Sequence, residues 1–229
     1  MALNLVLMTL LVAQSVAIAM YPTLVREHER DPAAIRRPLQ QAVEYMAITS
    51  FPIVIGAFVL ADQVIVKLYT ATFTPSIDAL RVLVWVLPLL FFSELLGRAA
   101  AVLRLERATA RRDVLSAGVV LVLDIVLVLT FGLIGAAFAY VANRLVNTLL
   151  ILNLVGVQRM FSRDTLWTLA RVAAAAAAMG VLVHLLHDQN LCLVIGAGVV
   201  SYGLALFAFR VLTRAKLARL AGIVTHRAV

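Results

Sequence analysis

A chain of 229 residues that is 63% hydrophobic and 14% charged, with mean hydropathy +1.01, carries more apolar surface than a soluble domain can bury, so it belongs to the membrane class. Its formal charge of +8 does not point to nucleic acid, because the basic residues sit in the gaps between apolar runs and not among aromatics on one face. One cysteine, Cys192, excludes an intrachain disulfide, and His184 with His187 is a helix-end pair lacking further ligands, so no metal and no cofactor is expected.

Seven apolar spans of membrane-crossing length lie at 2–21, 45–66, 79–101, 114–131, 133–156, 166–186 and 191–212. They predict an all-α polytopic bundle of about seven transmembrane helices. The first span ends in small residues around Ser15 to Ala19, as a signal peptide would, but its arginines follow the apolar run instead of preceding it. It therefore reads as a true membrane helix. Tyr21-Pro22 is expected to stop that helix, leaving 23–44 as a charged connector along the membrane surface, broken at Pro32 and Pro38.

Pro52 in the second span frees a backbone carbonyl and predicts a kink, as does Pro88 in the third. Asp62 and Lys67 are placed where long side chains reach interfacial water. Glu94 and Arg98, at i and i+4, are spaced to pair along one helix. Six consecutive alanines, Ala173 to Ala178, followed by Met179-Gly180, predict close helix packing and no chemistry.

Orientation follows from the short connections. Arg26, Arg30, Arg36 and Arg37 follow the first span; Arg98, Arg104, Arg107, Arg111 and Arg112 the third; Arg159, Arg163 and Arg171 the fifth; Arg210, Arg214, Lys216, Arg219 and Arg227 the seventh. Only Lys67 and Arg81 lie on the opposite side. This asymmetry predicts an outer N-terminus and a cytoplasmic C-terminus. An odd number of spans starting outside also reads as the back part of a longer chain.

The stretch 113–157 holds two spans back to back around the turn Phe131-Gly132-Leu133-Ile134-Gly135. Arg144 sits near the middle of the second, where a charge costs about 3 kcal/mol on insertion scales and is expected to face protein or water. At about 100° per residue, Tyr140, Asn143, Arg144 and Asn147 share one arc of roughly 100°. Asp124, seven residues before Phe131 and so about 10 Å from the turn, and Arg144, about 13 Å from it, lie at similar expected depths. Two readings follow. The pair could simply neutralise each other, or Arg144, Asn143, Asn147 and Tyr140, tuned by Asp124, could line a cavity for an anionic group such as a pyrophosphate.

Several segments resemble the C-terminal half of the polysaccharide flippases, which belong with lipid II flippases and MATE antiporters in one superfamily. Tyr21-Pro22-Thr23-Leu24 is similar to the end of the family's eighth helix, Phe51-Pro52-Ile53-Val54-Ile55-Gly56 to its ninth, and 62–69 with 79–83 to the outer connector into its tenth. Phe131-Gly132-Leu133-Ile134-Gly135-Ala136-Ala137-Phe138-Ala139 resembles the hairpin between its eleventh and twelfth helices. Asp124 departs from the family, where asparagine is usual. The resemblance implies a five-helix C-lobe over 1–157, with two additional helices and a basic tail over 158–229. It implies a bacterial inner-membrane carrier that flips undecaprenyl-pyrophosphate-linked oligosaccharides by alternating access within a family of twelve to fourteen helices. A cavity between two lobes needs a second one, so an N-terminal lobe or a second chain is an expected partner, and this chain alone is expected to be inactive and prone to associate.

Other classes fit less well. A MATE-type antiporter wants a deep acidic coupling site, and Asp124 is the only deep acid. A retinal protein needs a lysine in its last span, and 191–212 has none. The loops lack the paired carboxylates or histidine clusters of a membrane enzyme, so no catalytic residue is assigned. A non-catalytic membrane partner subunit is the remaining alternative.

Overall fold

The computed structural model describes residues 7–69, 76–156, 160–186 and 189–211. Residues 2–6 and 212 of the expected spans, the expected boundary at 157/158, and Arg159, His187, Arg214, Lys216, Arg219, His226 and Arg227 lie outside the described residues. Within them the chain is helical: α1 (Leu10–Arg30), α2 (Arg36–Val59), α3 (Ala61–Tyr69), α4 (Ser76–Leu83), α5 (Val86–Val102), α6 (Glu106–Val155), α7 (Arg163–Leu185) and α8 (Leu191–Ala208). Six stretches are long and apolar enough to cross a membrane, among them Ile77–Val102, made of α4 with α5, and the two arms of α6, Glu106–Gly132 and Ile134–Val155. Residues 10–21 of the expected span at 2–21 fall in α1, which is not one of these six.

The chain is thus a multi-pass membrane protein of all-α fold, and its outward faces match a lipid solvent. Leu121, Val122, Leu129, Val199 and Leu204 are all more than half exposed. Such a surface suits hydrocarbon, not water.

Four expectations about prolines need correction or refinement. Tyr21-Pro22 does not end α1, which continues through Pro22 to Arg30 and is closed by the Asp31 N–H bonding to the Glu27 carbonyl. Membrane helices tolerate internal proline when neighbours cover the freed backbone, and α1 buries Ala13, Ala17, Met20 and Leu24 against the bundle. The long connector at 23–44 is therefore reduced to 31–35. Pro38 falls in the first turn of α2, where its missing N–H has no intrahelical partner to lose. The second membrane helix starts at Arg36 and ends at Val59, nine residues ahead of the expected start, and Asp62 and Lys67 lie on the separate short helix α3.

At Pro88 the expected break is present and sits one turn upstream. Proline cannot bond to the carbonyl four residues back, that of Val84. The helix opens at Val84 and Trp85 between α4 and α5, and the Val84 carbonyl instead accepts from Leu87 N–H at 3.0 Å.

At Pro52 the helix stays continuous, and the orphaned carbonyl is that of Ile48. It accepts a hydrogen bond of 2.9 Å from the Tyr202 hydroxyl on α8. A side chain from another helix thus replaces the N–H that proline lacks. α7 lies against α2 with Ala175 and Ala176 fully buried, and a Cβ on Gly180 would stand 2.5 Å from Ile55 Cγ2. The alanine-rich run packs, and its small side chains let α7 approach α2 closely.

Candidate functional site

The two arms of α6 fold back on each other at Gly132, the one residue of that helix outside helical geometry, with φ 57° and ψ −130°. Only glycine adopts that left-handed conformation without strain. Gly135, although helical, is held just as tightly, because a Cβ there would collide with the Leu127 carbonyl. The apolar pattern sets two spans, and these glycines set the turn between them.

On the second arm the expected polar face is present. The Arg144 guanidinium lies over the Tyr140 ring, with Cζ 5.3 Å from the centroid, and Nη2 donates to the Tyr140 hydroxyl at 3.4 Å. That stack partly replaces lost water for a cation. Asn147 Nδ2 donates to Asn143 Oδ1 at 2.6 Å and to the Asn143 carbonyl at 3.0 Å, while its Oδ1 accepts from Ser116 on the first arm at 3.3 Å. Four of the five candidate residues therefore share one half-buried strip.

Asp124 does not join them. Ion pairs form between Arg81 and Asp78 at 3.8 Å and between Arg98 and Glu94 at 3.5 Å, whereas Asp124 and Arg144 do not pair with each other. The register of the hairpin explains this. Ser116 meets Asn147 and Leu127 meets Gly135, so Asp124 is level with residues 138–139. Arg144 is then about 8 Å further along the arm at 1.5 Å per residue. Counting depth from each end of the turn, as the sequence permits, hides this offset. Mutual neutralisation of the two charges is not the arrangement adopted, and Arg144 has no acid within ion-pair reach among the described residues.

Three hydroxyls missing from the sequence reading complete the strip. Thr148, buried, lies 2.8 Å from Ser93 Oγ on α5 and donates to the Arg144 carbonyl at 2.7 Å. Ser116, also buried, joins the two arms. Their signal was available, since Thr148 stands at i+4 from Arg144 and Ser93 directly precedes Glu94, but single hydroxyls in apolar spans usually bond back to their own helix. The Glu94–Arg98 pair forms along α5 as its spacing predicts. An apolar cavity of about 570 Å³ lies elsewhere, among α1, α2, α3, α7 and α8, with Pro52, Met179, Val199 and Tyr202 in its wall. Among the described residues no three His, Cys, Asp or Glu side chains converge as metal ligands.

No family model matches the chain. Over 143 residues it is 26% identical to the probable low-salt glycan biosynthesis flippase Agl15 of Haloferax volcanii, a match that covers 62% of this chain and 30% of that protein. The fold is similar to that of the lipid II flippase MurJ in an inward-closed conformation, with a TM-score of 0.70 and 17% identity over 87% of this chain and 45% of that one. The chain thus spans less than half the length of either protein. Both are named flippases, and the family resemblance read from the motifs of the sequence agrees with them: the chain has the fold of a lipid II flippase over less than half of that protein's length.

Proposed function

We propose that this chain is part of a flippase that moves undecaprenyl-pyrophosphate-linked oligosaccharides across the bacterial cytoplasmic membrane, without covalent chemistry, for cell-surface polysaccharide synthesis. The observation that carries the reading is Arg144, a cation on a membrane-crossing arm, cradled by Tyr140, with no acid among the described residues to neutralise it. A guanidinium so placed has its fork of donors available for a pyrophosphate. Asn143, Asn147 and Tyr140 would add neutral hydrogen-bonding groups around the same headgroup, and Asp124 would adjust the field from one and a half turns away.

The similarity to two flippases supports the same reading. The apolar cavity among α1, α2, α3, α7 and α8 would suit a hydrocarbon chain better than a headgroup. The distribution of arginines supports a cytoplasmic C-terminus. Because the chain spans less than half of either relative, the rest of the transport path would come from a further lobe or a second chain.

The test is replacement of Arg144 in the organism, by glutamine and by lysine, with surface polysaccharide and membrane protein level measured together. Glutamine should abolish export while the protein still inserts, and lysine should retain part of it. Normal export by the glutamine variant would overturn the proposal.

A further inference from the structure

A polar recess lies between α1 and α5 and adjoins the Arg144 strip through Ser93. It has a volume of about 310 Å³ and is lined by Tyr21, Ser93, Glu94, Gly97, Arg98 and Ala101. That volume is at the small end of ligand sites and suits a single ring rather than a chain. Its chemistry differs from that of the Arg144 strip. Arg98 is paired with Glu94 at 3.5 Å and its guanidinium lies 6.0 Å from the Tyr21 ring centroid. The recess therefore offers cationic donors and carboxylate acceptors side by side with no net charge.

An anion entering here would have to displace Glu94, and a cation would have to displace Arg98. A neutral polyol does neither. Vicinal hydroxyls can donate to the carboxylate and accept from the guanidinium at once, while Tyr21 supplies an apolar wall for C–H edges. Gly97, an exposed residue of the lining, leaves room as well: a Cβ there would meet nothing within 4 Å. Both charged side chains remain partly reachable, at 33% and 26% exposure for Arg98 and Glu94.

We infer that the α1–α5 recess binds one pyranose ring, held by Glu94 and Arg98 against Tyr21. That this ring belongs to the cargo glycan rests on the proposed flippase function; the binding chemistry does not. Ser93, shared between the recess and the Thr148 hydroxyl, places the sugar site one hydrogen bond from the arm that carries Arg144.

The test is saturation-transfer NMR on the full chain in detergent, with the methyl glycosides of glucose, galactose, mannose and N-acetylglucosamine as probes and inorganic pyrophosphate as competitor. At least one glycoside should receive saturation, and Gly97→Leu, which fills the recess without a backbone clash, should abolish it. Glu94→Gln should weaken it strongly while thermal unfolding stays as in the wild type, and Arg144→Gln should leave it unchanged. Absence of transfer from all four glycosides, transfer that survives Gly97→Leu, or transfer lost to pyrophosphate would overturn the inference. Glycoside binding that depends on Gly97 and Glu94, in a protein whose Arg144→Gln variant still exports normally, would leave the sugar site standing and remove the flippase proposal alone.

Discussion

Replacing Tyr202 with phenylalanine deletes one oxygen and leaves the Ile48 carbonyl with no donor, because the residue four positions on is Pro52 and has no N–H. Tyr202 is 8% exposed, so water reaches the site poorly. A buried carbonyl stripped of its partner costs about 1 to 3 kcal/mol, whereas interhelical hydrogen bonds measured inside membranes average about 0.6 kcal/mol and reach about 1.7. A loss near 1 kcal/mol is expected. Pro52→Ala provides the control, since an alanine at that position restores the N–H and the helix can close on Ile48 by itself. In that background Tyr202→Phe should be close to neutral, which gives a coupling of about 1 kcal/mol in the double-mutant cycle. Unfolding in mixed micelles, followed by the fluorescence of Trp85 and Trp167, measures all four proteins. Equal losses from Tyr202→Phe with and without Pro52 would refute the claim that the hydroxyl stands in for the missing N–H.

Other substitutions test the hairpin and its hydroxyls. Gly135→Ala should lower stability by about 1 to 3 kcal/mol, the range for forced overpacking, because its Cβ meets the Leu127 backbone and no side chain can rotate away; a neutral effect in the same unfolding assay would show that the arms can separate freely. Thr148→Val, equal in shape, should cost about 1 kcal/mol. Ser93→Ala in addition should cost little more, since the two hydroxyls serve each other, and full additivity would contradict that pairing.

Much of the architecture was legible because lipid imposes simple rules. Apolar runs had to become helices, Phe131 to Gly135 had to turn, and Glu94 with Arg98 could pair within one helix. What stayed hidden depends on a second element. Pro22 reads as a stop until α1 is seen packed through Ala17, Met20 and Leu24, so that the helix is held by its neighbours on both sides of the proline. The start of α2 at Arg36 was masked because hydropathy marks the apolar stretch and not the charged turns that precede it. The bond from Tyr202 to Ile48 spans 154 residues and no spacing announces it. Within the site, periodicity placed Tyr140, Asn143, Arg144 and Asn147 on one strip, but the level of Asp124 depended on hairpin register, which only Ser116–Asn147 and Leu127–Gly135 fix.

The central claim, that Arg144 meets the headgroup of a crossing lipid, can be tested by chemical access. In a chain whose exposed Cys192 is first changed to serine, Arg144→Cys places one thiol at the critical position. The account predicts that a water-soluble methanethiosulfonate reagent modifies it in native membranes, and that undecaprenyl-pyrophosphate oligosaccharide slows the reaction. A thiol that the reagent never reaches, or reaches at the same rate with and without the glycolipid, would contradict it.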